Sequence, residues 1–328
     1  MLNARQCCLV CLIAALGLAA VRASAQPPSG AAPSVDAPRW TVWAGAIFLT
    51  RSTPRAAPLV VDGVDPLVDA GDLHFNTQAG PDVNLLRHGP DFDINVRYFQ
   101  VNDMSASRTL FPPNTVDLLL NTPLSVDCPR LDTTYGTSLQ SVEVNFRQNV
   151  SPQLTLLAGF RYLSLRDHLS FGYDDVNDSA GPIGVTLSGL NNLFGAQMGA
   201  DAILWSAGRF QLQSALEAGV FGNSAQSTLD LSQTGAFGPP LGAHAQPTAF
   251  VGDLNFTGLY QLTEHWAVRA GYQLLWISGV ALASEQTSVG GASVGAVATQ
   301  AFFQPSFPIA TSGDVFFHGA LVSAQANW

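Results

Sequence analysis

A chain of 328 residues in which 47% are hydrophobic and only 12% charged has few charges of either sign for an ordinary water-exposed surface. Its formal net charge is -10 and its basic residues are all Arg, a balance that makes nucleic acid a poor partner. After the first segment no window approaches about 18 consecutive apolar residues, so a membrane-embedded form has to cross with strands.

The chain opens with Arg5, an apolar run from Cys8 to Ala20, and Ala23-Ser24-Ala25, the small-x-small pattern of a cleavage site. The run is shorter than the roughly 20 residues of a membrane-spanning helix. Residues 1–25 therefore read as an export signal, with the mature chain beginning at Gln26. Cys7, Cys8 and Cys11 leave with the signal, and Cys128 alone remains, which rules out a disulfide framework or a cysteine-based metal site. Cys8-Leu9-Val10 before Cys11 lacks the small residue expected ahead of a lipidated cysteine. Residues 26–38, rich in Pro, Ala, Ser and Gly without periodicity, read as a flexible linker, and residues 39–328 as one domain.

From Arg39 onward the pattern is period two. Phe92, Ile94, Val96 and Tyr98 alternate with Asp93, Asn95 and Arg97; Val142, Val144 and Phe146 alternate with Glu143, Asn145 and Arg147. Phe210, Leu212, Leu216, Ala218 and Val220 oppose Gln211, Gln213 and Glu217, and Phe250, Leu254, Phe256 and Tyr260 oppose Asp253, Asn255 and Thr257. Tight connections at 88–90, 150–153, 206–208 and 263–264 alternate with long ones at about 51–79, 102–136, 167–190, 223–249 and 279–313. This is the asymmetry of outer-membrane barrels, with short periplasmic turns and long extracellular loops. The expected fold is an all-β, antiparallel up-and-down transmembrane barrel of ten strands: 39–50, 80–87, 91–101, 137–149, 153–166, 191–205, 209–222, 250–262, 265–278 and 314–328. The even count puts both termini on the short-turn side.

Trp266 and Trp276 share the apolar face ten residues apart. At about 3.3 Å per residue and a tilt near 40° they are separated by roughly 25 Å of height, the thickness of an apolar band between two aromatic girdles. Tyr260, Tyr272 and Phe250 fall on the same face. In the last segment Val322, Ala324, Ala326 and Trp328 alternate with Leu321, Ser323, Gln325 and Asn327, so the chain ends on an aromatic of lipid-facing parity. Such an ending resembles the signal read by the barrel assembly machinery, which with outer-membrane lipid is the expected partner.

Several stretches resemble the beta barrel porin-7 family, found chiefly in planctomycetes: Leu157-Ala158-Gly159-Phe160-Arg161-Tyr162-Leu163, Asn191 to Asp201, Gly258 to His265, Gly271-Tyr272-Gln273-Leu274-Leu275-Trp276, and the end of the chain from Phe303. A more diffuse likeness covers Gly80 to Ser107. The resemblance implies an outer-membrane barrel and brings no catalytic residues.

His74, His88, His168, His244, His265 and His318 fall mostly in expected loops and turns, and none sits four residues from another or beside a nucleophile motif. His318 has lipid-facing parity near the outer end of the last strand. No enzyme activity and no cofactor are expected. Asp174, Asp175, Asn177 and Asp178 could offer oxygen ligands to Ca²⁺, but without the spacing or closing Glu of an EF-hand loop they read more simply as a solvated surface loop. The expected lumen face carries Asp93, Glu143, Asp201, Glu217 and Asp253 against Arg97, Arg147, Arg161 and Arg269. That set reads either as a charged constriction that selects solutes or as a salt-bridged filling of a narrow barrel. The leading expectation is a narrow porin-like pore for small solutes or ions, with the overall acidity favouring cations. A non-conducting structural or adhesion barrel displaying its loops is the alternative, and a secreted soluble β-protein a weaker one.

Overall fold

A computed structural model describes residues 39–63, 65–113, 115–120, 122–173, 183–230, 240–288 and 309–328. The export signal, the linker and the acidic loop at 174–178 lie outside the described residues. The strands are β1 (Trp40–Arg51), β2 (Pro58–Asp62), β3 (Asp65–Asp69), β4 (Gln78–Arg87), β5 (Asp93–Leu110), β6 (Val116–Leu120), β7 (Thr122–Val126), β8 (Leu131–Ser151), β9 (Leu154–Tyr173), β10 (Ile183–Ala207), β11 (Phe210–Asp230), β12 (Leu241–Ala245), β13 (Thr248–Gln261), β14 (Trp266–Val280) and β15 (Gly313–Asn327).

Ten of these close into an antiparallel barrel in the order β1, β4, β5, β8, β9, β10, β11, β13, β14, β15, every neighbouring pair hydrogen-bonded and β15 returning to β1. Closure leaves no unpaired edge among these strands, the condition a sheet must meet in hydrocarbon. The seam is tight. A Cβ on Gly319 of β15 would stand 1.7 Å from the carbonyl oxygen of Phe48 on β1, so only glycine lets the two backbones approach there. Below it the amides of Arg39 and Trp40 donate to the Trp328 carbonyl, and the Trp328 amide donates back to Trp40.

The alternation separates two solvents. The outward residues include Phe48, Val83, Phe92, Val144, Phe160, Phe194, Met198, Phe256 and Val322, all exposed, while the inward partners of the same strands are buried. Trp205, Phe210, Tyr260, Trp266 and Trp328 stand on the outer wall near the short turns, and Tyr98, Tyr162, Phe194, Phe250 and Trp276 form the opposite rim. Immediately beyond that rim the outward residues become Gln100, Gln140, Ser164 and Asn192. An apolar band between two aromatic rims on a closed, even-stranded barrel is the transmembrane β-barrel fold.

The strands run further outward than the sequence pattern suggests. β5, β8, β9, β10 and β11 continue to Leu110, back to Leu131, to Tyr173, back to Ile183 and to Asp230, through stretches read above as long loops. The outer wall is polar there, so the amphipathic contrast fades, yet the inward parity persists through Met104, Ala106, Leu131, Thr133, Tyr135, Leu169, Phe171, Val185, Leu187 and Leu229, all buried. His168 consequently lies on β9 and His244 on β12 rather than in loops. The connections at 51–79 and 102–136 also contribute β2, β3, β6 and β7, a separate four-stranded sheet in the order β3-β2-β6-β7. Its Leu59, Val60, Val68, Val116 and Leu118 join the apolar cluster filling the outer barrel.

The connection after β14 folds inward. Gly279, at φ +80, sits at a register shift between Ser278 and Val280, and a Cβ there would press within 2.5 Å of the Thr248 carbonyl oxygen. From this hinge Val280, Ala281, Leu282 and Ala283 enter the barrel and are almost completely buried, and Ala283–Ser288 forms a 3-10 turn.

Candidate functional site: a charged chamber beneath an inner plug

The lumen has two halves of different chemistry. Along β14 the inward side chains after Ala267 run Arg269, Gly271, Gln273, Leu275, Ile277 from the short-turn end outward, polar before apolar. β9 repeats the trend, with Arg161 followed by Leu163 and Leu165. Near the turns this leaves a cavity of about 370 Å³, walled in part by Arg97, Glu143, Arg147, Asp201, Glu217, Asp253 and Arg269. Farther out, Phe99, Leu163, Leu193, Phe221, Leu275 and Phe317 belong to one buried apolar cluster.

Strand register assembles the charges. Arg97 pairs across β5 and β8 with Glu143, Glu143 across β8 and β9 with Arg161, and Glu217 across β11 and β13 with Asp253. The Arg97 guanidinium donates to Asp82 at 2.9 Å and to Gln273 at 2.8 Å, with Glu143 at 3.9 Å. Arg161 donates to Asp253 at 3.1 Å and to Ser141 at 2.8 Å, with Glu143 at 3.8 Å. The Gln197 amide donates to Glu143, Asn145 and Glu217, each at 2.9 Å. Arg147 pairs with Asp201. Arg269 lies over the Trp43 ring at 4.6 Å and donates only to the amide oxygens of Gln325 at 3.0 Å and Gln213 at 3.4 Å. Asp93 is set apart at the rim, where it accepts from the Gly89 amide at 3.1 Å and faces His88 at 3.2 Å.

Of the nine residues placed on the lumen face from sequence, seven line this cavity, Arg161 is buried against Glu143 and Asp253 without lining it, and Asp93 stands apart near the turn. Asp82 gives little sequence signal as a lumen residue, because its strand has only Ala79, Pro81, Val83 and Leu85 as its apolar face, and the connectors Gln197 and Gln273 are neutral, so charge does not single them out. Both connectors lie on inward parity in strands already assigned, so alternation alone could have found them.

A second buried cluster, with no signal in the sequence pattern, holds the plug. The Arg51 guanidinium, 2% exposed, pairs with Asp167, donates to Thr137 and Tyr135, and stacks between the rings of Phe75 and Tyr135 at 4.7 and 4.6 Å. Asp167 also accepts from the Ala283 amide of the plug at 2.9 Å, and the Tyr135 hydroxyl lies 3.1 Å from Ser284. Asn191 clamps the same segment from both sides, donating to the Ala281 carbonyl at 2.8 Å and accepting from the Ala281 amide at 2.7 Å. Beyond the apolar band, burial and nearby Asp314 push the Glu285 carboxyl of the plug above the usual range, while Thr109 and Arg130 hold Asp132, at the outer end of β8, below it.

On the outer wall His318 bonds to the Tyr272 hydroxyl at 2.6 Å and stacks against its ring, both facing outward. Among the described residues no group of three or more His, Cys, Asp or Glu converges as a metal site.

No family model matches the chain, and no curated protein matches it. Among solved structures, the Escherichia coli outer membrane protease OmpT shares 9% identity at a TM-score of 0.49, over 88% of this chain and 97% of that one. The Ralstonia pickettii toluene transporter TbuX shares 9% at 0.34, over 89% and 90%. The P. putida toluene transporter TodX shares 10% at 0.32, over 90% and 91%.

Proposed function

We propose that the chain is an exported outer-membrane channel for small solutes, held closed by its own connection after β14, with the charged chamber as the vestibule on the periplasmic side. The observation that carries this reading is the plug. A segment of nearly complete burial lies between a polar cavity and the outside, and its polar anchors are one hydrogen bond donated by Asn191 and others accepted by Asn191, Asp167 and Tyr135 rather than a continuous strand pairing. Hydrogen bonds of this kind contribute about 0.5–3 kcal/mol each, so the four together hold the segment by several kcal/mol, a gap that differential solute binding can offset. The reading includes the cleaved signal at residues 1–25, assembly through the strand ending at Trp328, kinship with the porin-7 family, and no catalytic role. Because the chamber's five carboxylates face four guanidiniums, the interior favours selection by individual contacts over a general field for cations.

A second reading, a non-conducting barrel that presents the β2-β3-β6-β7 sheet outward, is favoured by one observation: the outer lumen is packed with apolar side chains as a protein core is. Planar-bilayer recording separates the two. The refolded intact chain is compared with a variant in which residues 281–312 are replaced by a short Gly-Ser linker. The channel reading expects rare openings in the former and sustained conductance in the latter. Two heat-modifiable, folded barrels that both stay silent would overturn it and leave the second reading.

A further inference from the structure

Four buried or half-buried arginines inside the barrel have carboxylate partners: Arg51 with Asp167, Arg97 with Asp82, Arg147 with Asp201, and Arg161 with Asp253. Arg269 differs. Among the described residues no carboxylate lies within 4 Å of it, and its two hydrogen bonds go to neutral amide oxygens. A guanidinium has five N–H donors in a planar fork, and a cation taken out of bulk water is costly unless an anion compensates it. The carboxylates around it are engaged elsewhere. Asp201 is held by Arg147, Asp82 by Arg97, Asp253 by Arg161 and Gln273, and Glu217 by Gln197.

The surroundings add a shape requirement. Trp43 supplies a flat aromatic face beneath the Arg269 fork, and Leu86, Ile203, Leu259 and Leu321 give the cavity apolar patches. At about 370 Å³ it has room for a small molecule.

We propose that the chamber is a binding site for a small organic monocarboxylate, its carboxylate seated on Arg269 and its apolar part against Trp43 and the leucine patches. The Arg269 fork matches a carboxylate bidentately. This inference rests on the reading of the chamber as a solute vestibule and names the solute class. It is tested by binding, which needs no conductance.

The experiment is calorimetric titration of benzoate into the intact barrel refolded in a non-ionic detergent, with benzamide as the uncharged isostere and with R269Q and R269K, each checked for heat-modifiable mobility. Benzoate is expected to bind saturably and benzamide at least about tenfold more weakly, because only the former makes the charge-assisted pair. R269Q should lose benzoate binding and R269K should retain part of it. Absence of saturable benzoate binding, equal affinity for benzamide, or undiminished binding by R269Q would each overturn the proposal. If R269Q fails to fold, the benzoate-to-benzamide ratio of the native chain decides. A barrel that conducts without binding benzoate removes this inference alone, whereas one that binds benzoate and never conducts removes the channel reading alone.

Discussion

Replacing Asp167 by Asn keeps the shape of the side chain and removes the charge at the point where the wall holds the plug. Asp167 accepts from Arg51, from the Tyr135 hydroxyl at 2.5 Å, from Thr137 at 2.6 Å and from the Ala283 amide at 2.9 Å. The last bond crosses from β9 to the plug and is charge-assisted, worth about 1.5–3 kcal/mol. At about 1.4 kcal/mol per factor of ten, its weakening raises the released population by roughly 10- to 150-fold. The same change leaves Arg51 without a counter-charge inside the barrel, a cost of about 3–5 kcal/mol to the folded state. D167N should therefore show a much higher open probability in planar bilayers together with a lower midpoint of urea unfolding. A D167N barrel that is folded and destabilised but opens no more often than the native chain would refute the anchoring argument, because the plug would then be held by packing alone.

R161Q removes the cation shared by Asp253 and Glu143, and the two buried carboxylates left behind should cost about 3–5 kcal/mol, read as a fall in the temperature of the heat-modifiable gel shift; an unchanged transition would show that the chamber is hydrated well enough to screen them. Gly319→Ala places a methyl on the Phe48 carbonyl across the closing seam, and the variant should accumulate as unfolded, protease-sensitive chain rather than barrel. Glu285 gives a pH dependence. Burial and Asp314 raise its carboxyl in the docked plug, so the docked state binds the proton more tightly than the released one. Docking is fully supported below the ordinary glutamate range near about 4.3 and weakens as pH rises through the raised value, so open probability should increase with pH from that point; E285Q should flatten the dependence.

The ten barrel strands are legible because the two faces of each meet different solvents, and period two records that difference wherever the outer face is in lipid. Where the wall rises beyond the aromatic rim, Gln100, Gln140, Ser164 and Asn192 make the outer face polar. Short segments such as Leu131 to Gly136 then read as loop although Leu131, Thr133 and Tyr135 continue the inward row. The charged chamber was readable for the same reason as the strands, residue by residue, but the partners were not, since register decides them and Gln197 or Gln273 looks like any other polar inward residue. Arg51, Tyr135 and Asp167 were hidden by distance in sequence, each at the edge of a presumed loop. The plug gives the weakest signal of all. Ala281-Leu282-Ala283 is too short to show a period, and only the positive φ at Gly279 explains why the chain turns inward there.

The abrupt change on the outer wall from aromatic to polar residues also acts as a draught line. β10, with 25 residues, spans about 60 Å at 3.3 Å per residue and a tilt near 40°, more than twice the apolar band, so much of the molecule stands clear of the bilayer as a rigid collar. Sinking it by two residues, about 5 Å of height at the same tilt, would immerse Gln100, Gln140 and Ser164 in hydrocarbon and push Trp266 and Trp328 out of the opposite rim. Raising it by the same amount would bare Phe194 and Phe250 to water. Depth in the membrane is thus set by the wall itself, and a bilayer of mismatched thickness must deform to meet the barrel, since a ring of closed strands cannot shorten or tilt one element at a time.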